Sequence, residues 1–264
     1  MTQSIKLMRM AFFVMLLISF TMSFTVHPGY SGKRARFVHT RHRMVDTADV
    51  NIELAQMQAA YAGPDHLSFD VNASEITTTG GIPVLATETL HYKINGNKYY
   101  IKGDSSIQIQ DSNYHMTVLD NLQMITIAPT NYSFQTLLML DVLNPDFQRD
   151  NVQGMTVKDT SFMRRISFQF YRESAIKSLS ILYDTGTYKL ETISGSMSTR
   201  SAVPADSAAD LGQQISVNMQ FVNYQFGMFG DSVFNTSRYY SRQRDSFVFV
   251  APYNTYQFVN STLD

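Results

Sequence analysis

The sequence predicts a mainly β fold of the α+β class, in which consecutive antiparallel strands are covered by two amphipathic helices. Three observations carry this. First, between Val84 and Pro129 the segments VLATETLHYKI, NKYYIKG, SIQIQD, YHMTVLD and QMITIAP alternate apolar and polar residues. Asn95-Gly96-Asn97, Gly103-Asp104-Ser105, Ser112-Asn113 and Asp120-Asn121 interrupt them. Short period-two runs broken by two- or three-residue turn signals are the pattern of a β-meander. Second, 15 Tyr and 18 Phe suit a pleated, half-buried surface. Third, Val50, Leu54, Met57 and Tyr61 recur at helical spacing just before the strands begin.

Residues 1–25 read as a secretory signal peptide. Lys6 and Arg9 precede the apolar run from Met10 to Ile18, which is shorter than the ~20 residues of a membrane span. An uncleaved N-terminal anchor is the other reading. Residues 26–45 form a basic flexible linker whose Lys33–Arg43 stretch is either plainly solvated or attracted to anionic headgroups or an acidic partner. Residues 46–264 make one domain, a normal size for a β protein.

Asp46-Thr47 opens the first helix and Gly63-Pro64 stops it. Leu67, Phe69 and Val71 then lie on one side of a strand, and Thr79–Pro83 turns the chain into the meander. After Pro129, Phe134, Leu137 and Leu138 fit a second helix, capped by Thr130 or Asn131 and ended near Pro145. A polar stretch, Asp146 to Gly154, leads to further strands from Phe162 to Phe170, and a hairpin follows over Lys177–Ile193 with its turn at Asp184–Gly186. Thr199–Gly212 reads as an exposed loop. The last strands run from Ile215 to Phe226, over Phe247–Val250 and over Tyr253–Val259.

Function classes are mostly excluded rather than indicated. With no Cys there are no disulfides, thiol nucleophiles or thiolate metal sites, and no lipobox. A formal net charge of -1 argues against nucleic acid as partner. None of the six His lies in HExxH, and no Ser lies in GxSxG, so neither a metal site nor a catalytic residue is assigned and the chain is expected not to be an enzyme. No cofactor is expected. His91 and His115 fall within strands and read as structural or surface histidines. Ten Met outside the first 25 residues suit either ordinary core filling or a surface that repacks around variable apolar guests.

The order of elements, together with Leu119–Pro129, resembles the LolA-like lipoprotein-carrier superfamily. Its D-G-x-x-x-W-x-Y-x-P hairpin is matched here at Asp120 and Pro129, with Asn121 in place of the Gly and Ile125 and Ile127 in place of the aromatics. Asn tolerates the left-handed turn that the Gly would adopt. The resemblance implies a strongly curved antiparallel sheet forming an incomplete barrel closed by helices. It also implies a periplasmic, non-catalytic, monomeric carrier for a lipid or acylated lipoprotein, with an envelope membrane protein as donor or acceptor. On that basis Leu67, Phe69, Val71, Tyr92, Ile94, Ile101, Met116 and Val118 would line an apolar cavity under lid helices carrying Leu54, Met57, Leu137 and Leu138. Which strand parity faces inward stays open, because a one-residue slip inverts it. The other reading is an exported β-rich structural or interaction protein with no ligand cavity.

Overall fold

The computed structural model describes residues 47–62, 66–79, 81–130, 145–160, 162–172, 174–199, 213–227, 229–243 and 246–260. The signal peptide, the basic linker and the helix expected to carry Leu137 and Leu138 lie outside these residues.

Helix α1 spans Thr47–Ala62, as its apolar spacing predicts. Strands β1 (Leu67–Thr79) and β2 (Ile82–Asn95) form a long hairpin whose turn passes through Gly81 at φ 81°. The meander continues through β3 (Lys98–Lys102), β4 (Ser106–Gln110), β5 (Tyr114–Leu119) and β6 (Met124–Pro129). Helix α2 is short, Pro145–Asn151. It is followed by β7 (Val152–Thr160), β8 (Met163–Phe170), β9 (Ile176–Asp184), β10 (Leu190–Thr199) and β11 (Gln213–Phe226). The chain ends in β12 (Tyr240–Gln243), β13 (Ser246–Phe249) and β14 (Gln257–Asn260).

Twelve of these strands make one sheet in the order β14-β6-β5-β4-β3-β2-β1-β11-β10-β9-β8-β7, and β12 pairs only with β13. Pairing is antiparallel throughout except for β14, which runs parallel to β6. The last long strand, β11, returns to lie beside β1, so the sheet grows outward from its own middle and its ends, β14 and β7, do not meet. The fold is therefore mainly β, with an open sheet and two helices among the described residues. None of the described helices is long and apolar enough to cross a membrane.

Pro145 starts α2, as a proline can at the first turn, where its missing N–H would have no partner; the helix expected to end near it lies outside the described residues. One local reading is corrected. In the Asp120–Pro129 hairpin the left-handed residue is Gln123 (φ 48°), because Asp120–Leu122 winds into a single 3-10 turn and the reversal falls one residue after it.

The sheet has two cores, and they lie on opposite faces. On the first face Val50, Leu54, Met57 and Tyr61 of α1 pack against Leu67, Phe69 and Val71 of β1 and on across β2, β3 and β8–β11. The second core gathers Ile109, Met116, Val118, Ile125 and Ile127 under Tyr239, Tyr240, Phe247, Phe249 and Phe258. The register shows the change of side. Phe69 pairs with Tyr92, Tyr92 with Ile101, Ile101 with Gln108 and Gln108 with Thr117, so the apolar row of the first face becomes polar at β4. One row along, Lys93 pairs with Tyr100, Tyr100 with Ile109, Ile109 with Met116 and Met116 with Ile127. Apolar residues move from one parity to the other across the Gly103–Ser105 turn, and the C-terminal aromatics cover the face they move to.

That turn is tightly packed. Glu88, buried on the first face, accepts the Asp104 backbone N–H at 3.0 Å, and burial pushes its carboxyl pKa up. A Cβ on Gly103 would fall inside van der Waals contact of the Glu88 carboxylate. Gly103→Ala is expected to lower stability by about 1–3 kcal/mol, the usual cost of overpacking. A urea denaturation curve measures this, and an unshifted midpoint would contradict the packing described.

Candidate functional site

The eight residues expected to line a cavity do not share a face. Leu67, Phe69, Val71, Tyr92, Ile94 and Ile101 all lie on the first face, at most 4% exposed, beneath Leu54 and Met57. Met116 and Val118 lie on the other face, together with the hairpin residues Ile125 and Ile127. Asn121 and Pro129 are exposed, and Asp120 accepts the Tyr256 hydroxyl at 3.0 Å, which ties the hairpin to the C-terminal cover. The aromatic cover escaped the sequence reading because Tyr239–Gln243 has no clear alternation; the density of Tyr and Phe after position 239 was the available signal.

α1 is held to the first face at both ends. Near its C-terminus the Tyr61 and Tyr224 hydroxyls meet, Tyr61 accepts the Leu190 N–H at 2.8 Å, and Tyr224 donates to the Leu190 carbonyl at 2.9 Å. Burial pushes the pKa of both hydroxyls up, so they remain neutral. Near its N-terminus Glu53 pairs with Arg164 and accepts the Tyr183 hydroxyl at 2.6 Å. Arg164 also binds Asp159 through both carboxylate oxygens, and this holds the Asp159 carboxyl below the usual carboxylate range. Such polar ties fix where a helix sits on a sheet, while the apolar stripe between them supplies the stability.

Further along the same strands, past Ala73, Met219 and Ile193, the first face carries a small apolar hollow. Ile176, Leu179, Met197, Ile215 and Val217 line it, around the bare backbone of Gly195. Its volume is about 30 Å³, which admits roughly a water or two. Glu75 lies on this face too, opposite Val217 on β11 and Ala86 on β2. It is 6% exposed; Oε1 accepts the Thr77 hydroxyl at 2.6 Å, and Oε2 has no hydrogen-bond partner among the described residues. Chemically the hollow offers apolar contact with one carboxyl group at its margin. Among the described residues no group of three His, Asp or Glu is placed to hold a metal ion.

No family model and no curated protein matches the sequence. Solved structures similar to the chain include an uncharacterised conserved protein from Thermus thermophilus, at 7% identity and TM-score 0.43, covering 80% of this chain and 99% of that one. A LolA superfamily protein from Nitrosomonas europaea matches at 8% identity and TM-score 0.32, covering 70% and 97%. An outer membrane lipoprotein-sorting protein domain from Vibrio parahaemolyticus matches at 10% identity and TM-score 0.32, covering 72% and 98%. The structures similar to this chain thus include a member of the LolA superfamily.

Proposed function

We propose that the chain is an exported, non-catalytic carrier that holds the acyl chain of a lipid or lipoprotein on the first face of its sheet. The observation that supports this is the apolar hollow at Ile176, Leu179, Ile215 and Val217, continuous with the core under α1. Burying eight methylenes there is worth about 6 kcal/mol, at ~0.8 kcal/mol each. A hollow of about 30 Å³ does not hold that chain as it stands, so loading requires the adjoining core to open. α1 is the element with the right properties, an amphipathic helix clamped by two polar ties rather than continuous with the sheet. The periplasm, and an envelope membrane protein as donor or acceptor, belong to the same reading.

Delipidated protein titrated with a fluorescent fatty acid and with a triacylated lipopeptide tests it. Saturable binding is expected, at least tenfold weaker in Val217→Glu and unchanged in Met116→Leu, whose side chain lies on the opposite face. Absence of binding, or a Val217→Glu variant that binds as well as the parent, would rule the carrier out. A second reading, an exported interaction protein with a closed core, draws on the near-complete burial of the six residues under α1. It predicts no acyl binding at any concentration below micelle formation.

A further inference from the structure

The face of β1, β2 and β11 turned away from α1 carries a second constellation. β11 bulges there: Ser68 pairs with Gln225 but Asp70 with Val222, and within the bulge Asn223 takes the left-handed conformation at φ 58°. Bulges re-aim side chains, and Asn is among the few non-glycine residues that tolerate this backbone. Asn223 is aimed at Asp70, donating from Nδ2 to Oδ2 at 2.8 Å. The other oxygen of Asp70 meets His91 Nδ1 at 2.6 Å. Burial alone would push the Asp70 carboxyl up, but the bonds from Asn223 and His91 outweigh it and leave its pKa lowered. Both carboxylate oxygens are thus committed to holding two neighbours in place. The imidazole, 57% exposed, keeps Nε2 for something else.

That nitrogen belongs to a groove of about 480 Å³, which Lys93, Lys102 and Tyr100 also line. The Lys93 ammonium sits 5.5 Å from the Phe229 ring centroid, and Lys102 makes no ion pair among the described residues. Two lysines and an imidazole oriented by Asp70 line this end of the groove, and both Asp70 oxygens are already used, so it favours an anionic group. One rung further along the same strands the lining changes to Asn72, Thr89, Asn218 and Gln220 together with Glu88 and Asp104, in a groove of about 380 Å³ that therefore favours neutral hydroxyls over a second anionic group. Thr89 donates to Asn72 at 3.0 Å. Amides and hydroxyls in register match a ligand dense in hydroxyl groups.

We propose that this face binds an acidic oligosaccharide, with its carboxylate, sulfate or phosphate group against His91, Lys93 and Lys102 and its hydroxyls along Asn72, Thr89 and Gln220. Asp70 and Asn223 are positioning residues. Isothermal titration of tetragalacturonate and a heparin tetrasaccharide, against maltotetraose and inorganic phosphate, tests the proposal. At least one acidic oligosaccharide should bind saturably, at least tenfold tighter than maltotetraose, and more weakly as salt is raised. Lys102→Gln and His91→Gln should each weaken it fivefold or more. Asn223→Gly keeps the left-handed backbone, which glycine adopts freely, but releases Asp70. It should weaken binding in the same direction and shift the His91 ring nitrogen resonances, which a purely structural role would not move. The proposal is overturned if neither acidic oligosaccharide binds, if maltotetraose or inorganic phosphate binds as tightly, or if Lys102→Gln, at an exposed position that folding does not need, leaves affinity unchanged.

Discussion

Phe69→Ala is expected to lower stability by about 3–5 kcal/mol, the range for truncating a fully buried aromatic. Phe69 is 2% exposed and lies at the centre of the first core. Its ring stacks on Tyr92 at 4.8 Å and on Tyr224 at 5.2 Å, and meets Tyr61 edge-on at 5.9 Å. Aromatic pairs in these geometries add about 0.5–1.5 kcal/mol each beyond the area they bury. Tyr61 belongs to α1, so the substitution also loosens the clamp that ends at Leu190. The second core gives a control. Met116→Ala should cost about 2–5 kcal/mol by the same argument, yet it touches none of these rings and lies on the far side of the sheet. Residues that share no partner act additively to within about 0.5 kcal/mol. Urea denaturation of both single variants and the double variant measures the sum. A coupling well above that limit would mean that the two faces do not have separate cores.

The same division explains how far the sequence could be read. Strand positions and turns in the meander were legible because period-two alternation and turn residues are local signals. α1 was legible from four apolar residues and a Gly-Pro stop. The face was not. Alternation in YHMTVLD is as clean as in LHYKI, and nothing within either segment says that Met116 and Tyr92 point in opposite directions. Side is a property of register across several strands, and it flips with a shift of one residue. Gln108, Gln110 and Thr117, buried polar residues on the first face, were the trace of the switch, visible only when read down the rungs. The Asp70–His91–Asn223 constellation was illegible for a related reason. Its members come from three strands, and the only mark of the bulge in β11, a change of apolar parity between Phe221 and Tyr224, does not say which residues it brings together.

The switch also makes stability depend on pH. His115 lies on the first face at β5, paired in register with Gln110, its ring 5.9 Å from that of Tyr99. Burial pushes its pKa down to about 4, from an ordinary value near 6.5. Above pH 6.5 the imidazole is neutral in both states and contributes no pH dependence. As pH falls below 6.5 the unfolded chain takes up a proton that the folded chain does not, so stability declines by up to about 1.4 kcal/mol per pH unit. The decline levels off once the folded protein also binds the proton, near pH 4, after a loss of about 3 kcal/mol. Glu88 acts in the opposite sense: its carboxyl pKa is raised by burial, so its protonation favours the folded state as pH falls. The contribution of His115 is therefore read as the difference between wild type and His115→Gln, from urea midpoints taken at half-unit steps between pH 7.5 and 4. The stability of wild type minus that of the variant should fall by about 3 kcal/mol as the pH is lowered, whatever the variant costs at neutral pH. Parallel curves would show that folding leaves the His115 pKa unshifted and would contradict the burial of its ring.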